Sequence, residues 1–176
     1  MVETGDQLRT VDGTTFKLAR SANDTGGERV EFEITLPPGA LSPPPHYHPK
    51  QTEEWHVLEG TLSIQLDGEW RELREGESAT MPPGQVHTLK NRSNGVVRVR
   101  DVHIPAGGFQ EYIESLYRLG QSGKVKSPRH PAGLIYLAMV LREERRRGGQ
   151  VSASPVLRMA ESALASVGRL LRFRLP

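Results

Sequence analysis

Three histidines and a neighbouring acid have the types and spacing to do chemistry. His46 and His48 stand one residue apart in "PPPHYHPKQTEEWHVLEG", residues 43–60. Side chains alternate faces along a strand, so the pair would share a face with Cα atoms about 6.5–7 Å apart. From that separation two imidazoles can converge on one ion. Pro49 and Lys50 interrupt the strand, and the acids Glu53 and Glu54 follow. Glu53 would share a face with Trp55 and Val57, and Glu54 with His56 and Leu58. A short bend would carry Glu53 back over the histidine pair, and spacing and strand parity favour it over Glu54. A third histidine, His87, follows a Pro-Pro-Gly turn in "GESATMPPGQVHTLKN", residues 76–91. Taken singly, each reads as an ordinary surface histidine. Taken together, three neutral imidazoles and one carboxylate suit one divalent transition metal: Fe, Mn, Co, Ni, Cu or Zn. They do not suit Ca or Mg, which want oxygen ligands. The chain has no cysteine, so disulfides and thiolate metal sites are excluded.

The elements that must position these groups are short strands. "VEFEITL" alternates Val30, Phe32, Ile34 and Leu36 against Glu31, Glu33 and Thr35, the pattern of a half-buried strand. "TLSIQL" alternates likewise, and the "DG" after it predicts a tight hairpin. "MPPGQ" and "RSNGV" are turns, and "VVRVRDVHI" is a further strand. Short strands between Gly/Pro turns predict an all-β sandwich or barrel over residues 30–105, preceded by an N-terminal arm with strands over 1–29. Gly60 and Gly84 are expected to supply positive φ at turns. Prolines 43–45 stiffen the entry to the histidine strand and fit only at a strand's start or edge.

The texture changes over residues 106–176, which predict about three α-helices. Phe109, Tyr112, Ile113 and Leu116 recur at helical spacing. The basic loop "GQSGKVKSPRHP" follows. A second helix starts with Pro131 in its first turn, and "RGGQVSAS" breaks it. Ser154 then caps a last helix that opens on Pro155. Val156, Ala160, Ala163, Val167 and Leu170 form one apolar stripe along it, which predicts that it packs on something. These helices are expected to cover an open end or flank of the barrel.

The two histidine segments resemble the paired motifs of the cupin superfamily. Gly39, His46, His48, Glu53 and Gly60 fit the first, with one extra residue between Gly39 and His46. Gly76, Pro82, Gly84, His87 and Asn91 fit the second without a gap change. The resemblance covers residues 30–104 and little of the helical tail. It implies a single-domain cupin barrel, a double-stranded β-helix or jelly roll, with His46, His48, Glu53 and His87 as metal ligands inside the barrel mouth. Asn91 would hydrogen-bond near its turn. Trp55 and Val57, on the face of Glu53, and His103, at the end of the last barrel strand, are candidate pocket residues. Trp55 has a core role as its plainer reading, and His103 a solvated strand end.

A metal so held keeps about two coordination positions open for substrate oxygen, water or O₂. The resemblance implies a metal-dependent enzyme, quercetinase-like and dioxygenase-like, acting on a small oxygenated organic molecule. A non-catalytic small-molecule-binding or sensing cupin is the alternative. It also implies a homodimer, through strand exchange or face-to-face sheets.

Charge bears on the partners. Residues 1–117 carry a net −7 and residues 118–176 a net +9, for +2 overall. Scattered basic residues, with no nucleic-acid motif, make nucleic acid an unexpected partner; the favoured reading is a basic appendage packed on an acidic body. The first residues lack the apolar core of a signal peptide, and no apolar run approaches the ~20 residues a membrane span needs. A cytoplasmic protein is the expectation.

Overall fold

The computed structural model describes residues 2–125 and 130–175, so residues 126–129 of the basic loop lie outside the described residues. Two antiparallel sheets form the barrel. The first runs β1 (Gln7–Arg9), β2 (Thr15–Arg20), β3 (Val30–Leu36), β10 (Val97–Ile104), β5 (Thr52–Glu59) and β8 (Ser78–Met81). The second runs β11 (Val151–Ser152), β4 (His46–Tyr47), β9 (His87–Lys90), β6 (Thr61–Leu66) and β7 (Glu69–Arg74). Three helices complete the described chain: α1 (Phe109–Gln121), α2 (Pro131–Arg146) and α3 (Pro155–Leu170).

Alternation decides which faces meet. Val30, Phe32, Ile34 and Leu36 of β3 are buried, while Glu31, Glu33 and Thr35 are only half-buried. They join Trp55, Val57, Leu62, Ile64, Val97 and Val99 in one core. Each such side chain contributes roughly 1.5–3 kcal/mol by leaving water. Asp67 and Gly68, with φ of 50° and 97°, form the hairpin between β6 and β7. Two consecutive positive φ values match the right-handed twist of the flanking strands. Gly60 also has positive φ, and a Cβ there would stand 2.8 Å from the Val96 carbonyl oxygen. The N-terminal strands pair within the chain, β1 on β2 and β2 on β3.

The helices attach through apolar contacts. Phe109 and Ile113 of α1 enter the barrel core, and the Phe109 and Phe32 rings meet edge to face at 5.7 Å. Ser154 caps α3 by accepting a hydrogen bond from the Leu157 amide. Among the described residues the ion pairs of α1, α2 and α3 stay within the helical segment, such as Arg145–Glu161 at 3.4 Å and Arg147–Glu111 at 3.2 Å. Arg147 and Arg118 of the basic segment thus pair with Glu111 and Glu114 of the acidic one, while apolar packing of α1 joins the helices to the barrel core.

Two further features differ from the sequence reading. Residues 147–154, read as a helix break, contain β11, whose Ser152 pairs with His46. A two-residue strand is too short to show a period. The apolar stripe of α3 does not pack on the body. The helix buries Ala165 and Gly168, while Val156, Val167 and Leu170 stay exposed. A Cβ at Gly168 would come within 2.7–2.8 Å of Met139 and Ile135. The small face lets α3 approach α2 more closely than the bulky face would.

Candidate metal centre

Both sheets deliver ligand-type residues to one place. His46 on β4 and His87 on β9 are direct partners across the second sheet. The strand ends at Tyr47, so His48 enters from the bend that follows, where the Gly84 amide donates to the His48 carbonyl at 2.9 Å. Glu53 comes from the first sheet, opposite His103 on β10. All four side chains are buried. Glu54 points the other way, half-exposed beside His56.

One nitrogen or oxygen from each of His46, His48, Glu53 and His87 lies within 4.8 Å of the others. Glu53 Oε2 stands 3.0 Å from His48 Nε2 and 2.8 Å from His87 Nε2. Neither contact has hydrogen-bond geometry, and all three atoms are buried without a partner. The three atoms therefore stand around one small space. Two donors about 2.0–2.2 Å from a metal in adjacent positions stand about 3 Å apart, so this spacing fits an ion.

The surroundings prepare those atoms. His46 Nδ1 lies 2.9 Å from the Pro44 carbonyl, and His87 Nδ1 lies 2.9 Å from the Gln85 carbonyl. A carbonyl only accepts, so each Nδ1 carries the hydrogen, and in the neutral ring each Nε2 presents a bare lone pair. The Trp55 indole donates to Glu53 Oε1 at 2.7 Å, which leaves Oε2 to face the histidines. Burial, with His87 beside it, pushes His46 down to about 3, so it is neutral as a ligand must be. Burial also lowers His48. Burial alone would raise Glu53, but His103, His48 and His87 outweigh it and hold the carboxyl well below its usual range. For His87 burial lowers, and the Glu53 carboxylate more than reverses this.

Behind Glu53 lies a buried pair, His103 and Asp101, of which the sequence singled out only His103, as a candidate pocket residue. His103 Nε2 is 3.4 Å from Asp101 Oδ2 and 3.7 Å from Glu53 Oε1. His103 is not a solvated strand end: it is 1% exposed and its ring stacks on Phe109 with centroids 3.7 Å apart. Burial would lower it, but Asp101 and Glu53 carry it up to about 9. Burial raises Asp101 to about 6, against the pull of His103. The available signal was an aspartate on the inward face of a strand whose neighbours on that face are Val97 and Val99.

The cluster opens into a cavity of about 420 Å³. His46, His48, Glu53 and Trp55 lie on its wall at one end. Val57 does not line it and belongs to the core, and His103 sits behind the wall. The rest of the lining includes Val11 and Leu41 near the N-terminal hairpin, Tyr112 and Leu116 of α1, and Leu137 and Leu141 of α2.

Residues 32–104 match the cupin domain family model. This range holds β3 from Phe32 onward, β4 to β10 and all four clustered residues. Residues 32–104 are a cupin domain. The chain is similar to mannose-1-phosphate guanylyltransferase of Salmonella montevideo, 34% identical over 85 residues, covering 47% of this chain and 17% of that protein. It is also similar to the tetracenomycin polyketide synthase protein TcmJ of Streptomyces glaucescens, 36% identical over 66 residues, covering 38% of this chain and 44% of that one. The chain thus spans under half the length of either relative. Among solved structures, KdgF from Halomonas sp. superposes with a TM-score of 0.52 at 19% identity, over 60% of this chain and 92% of that one, a likeness of fold. The fold and the buried histidine–carboxylate cluster agree with the cupin reading of the sequence. Among the described residues no helix is long and apolar enough to cross a membrane.

Proposed function

We propose that the protein is a metal-dependent cupin enzyme, dioxygenase-like, acting on a small oxygenated organic molecule, with His46, His48, Glu53 and His87 holding one divalent transition metal. The observation that carries this is the set of bare, buried atoms His48 Nε2, His87 Nε2 and Glu53 Oε2 aimed at one point beside the cavity. A bound first-row ion would supply Lewis acidity there and, where redox-active, electron transfer to O₂. The chain's own residues do the rest. Trp55 fixes the rotamer of Glu53, and Glu53 stays ionised, as a metal ligand must be. The apolar wall excludes water. The relatives' names point two ways, toward sugar phosphates and toward polyketides.

The test is metal analysis of protein purified without added metal, followed by oxygen uptake with 3-hydroxyflavone and acetylacetone. Stoichiometric Fe, Mn, Ni or Cu with substrate-dependent uptake is expected. A non-catalytic binding cupin is favoured by one observation: away from the cluster, Asp12 is already engaged by Thr10, Thr14 and the Leu41 amide. Stoichiometric zinc with no turnover on any metal would establish that reading instead. A cytoplasmic location belongs to the same proposal.

The homodimer is proposed through α3. Its exposed stripe at 156, 160, 163, 167 and 170 repeats at alternating four- and three-residue steps, the seam of a helix pair. A second copy of α3 running antiparallel would set Val156 against Leu170 and Ala163 against itself. A monomeric mass by light scattering, or a dimer that survives Leu170→Glu together with Val167→Glu, would remove this claim.

A further inference from the structure

We infer that the ligand of the cavity is an uncharged, largely apolar molecule without phosphate, whose body lies against α1 and α2 and whose oxygen-bearing end lies at the histidine cluster. Only the placement of that end rests on the metal reading above; the apolar body does not.

The argument is one of charge and wall chemistry. Among the described residues no lysine or arginine lines the cavity, and its three charged lining residues, Asp12, Glu53 and Asp101, are all acids. Phosphate sites need guanidinium or ammonium groups, or a cradle of free amides, to offset a dianion. Away from the cluster, where the proposed ion would sit, a phosphate would leave water for a low-dielectric wall that offers no cation and carries Asp12, where like charges repel most. A phosphorylated sugar is therefore a poor fit, and its hydroxyls would face Leu116, Leu137 and Leu141 without partners. The volume of about 420 Å³ lies in the range of sites for drug-sized molecules.

Part of the apolar wall comes from segments outside residues 32–104, beside Ile34, Leu36, Leu41 and Leu89 from within them. Tyr112 and Leu116 come from α1, Leu137 and Leu141 from α2, and Val11 from the turn after β1. The helices therefore form the binding wall for the ligand's body. The histidine cluster supplies the polar pole for the ligand's oxygen-bearing end, and the second polar patch, Asp12, is already bonded to Thr10 and Thr14.

The experiment uses the full chain, both metal-loaded and chelator-treated, with the uncharged fluorophore N-phenyl-1-naphthylamine. Saturable fluorescence enhancement is expected in both forms, displaced by 3-hydroxyflavone and not by glucose 6-phosphate. Leu137→Arg should weaken fluorophore binding about tenfold or more by placing a charge in the wall. Leu141→Phe, which adds bulk without charge, should weaken it about threefold while keeping the melting temperature near that of wild type. Displacement by glucose 6-phosphate comparable to that by 3-hydroxyflavone would overturn the inference, as would unchanged fluorophore binding in both variants. Failure of the metal reading looks different: 3-hydroxyflavone would bind loaded and stripped protein equally, with the fluorophore results unaltered.

Discussion

The two ends of the cavity are made from different parts of the chain and by different physics. At one end, buried polar atoms from both sheets are held to about 3 Å spacings by strand register, by carbonyls on the far side of two imidazoles, and by one indole N–H. At the other end, leucines and a tyrosine from two helices offer shape and dryness with little directional bonding. The comparison teaches that reactivity and selectivity can be altered separately here. The polar end depends on a rigid barrel, and the apolar end on helices that attach by side-chain packing. Substitutions at one end should leave the other's measurement largely intact.

The sharpest way to break that separation is His87→Ala. It removes a donor from the centre and should lower metal affinity by more than about a hundredfold, read by equilibrium dialysis, while N-phenyl-1-naphthylamine binding stays near wild type. Joint loss of both would show that the two ends are one cooperative unit.

A large effect is also expected from Glu144 of α2. This buried carboxyl has one oxygen without a partner, and burial pushes it up to about 8. The folded state thus holds a proton that the unfolded chain releases near 4.5. The stabilisation is fully present below that value and is lost as pH rises through about 8. Against Glu144→Gln, which has no such proton to lose, the wild type should forfeit as much as roughly 4 kcal/mol between pH 5 and pH 9. Urea titrations at both pH values measure this, and a pH-independent difference between the two proteins would contradict it.

Trp55→Phe sharpens the comparison at the polar end. It keeps an aromatic wall but removes the hydrogen bond to Glu53, so metal affinity should fall about 10–100-fold with a smaller change in fluorophore binding. The smallest effect is expected at the cavity rim. Asp12 accepts from Thr10 and Thr14 hydroxyls at 2.6 and 2.9 Å and from the Leu41 amide at 2.9 Å. Asp12→Ala should cost roughly 1–3 kcal/mol in thermal unfolding and leave metal affinity unchanged.

Particular residues show how far the sequence could be read. Glu53 over Glu54 followed from spacing and strand parity, because a strand's two faces are fixed by its period. The Asp-Gly hairpin and the Ser154 cap followed from local backbone chemistry. The pairing of His103 with Asp101 did not, since it depends on Phe109 covering the end of β10. The outward stripe of α3 misled in the same way. Periodicity shows that a helix has two faces, but which face meets a neighbour depends on how closely that neighbour can approach, and Gly168 decided it.

The amino-acid order by itself determined the strands, the turns, the three helices and the four residues able to share an ion, because these follow from local periods and short spacings. Only the tertiary structure decided that β11 would edge the His46 strand, that Asp101 and His103 would be buried behind Glu53, and that α1 and α2 would wall the cavity. Those outcomes rest on contacts between segments far apart in the chain, whose free energies depend on packing that no single stretch contains.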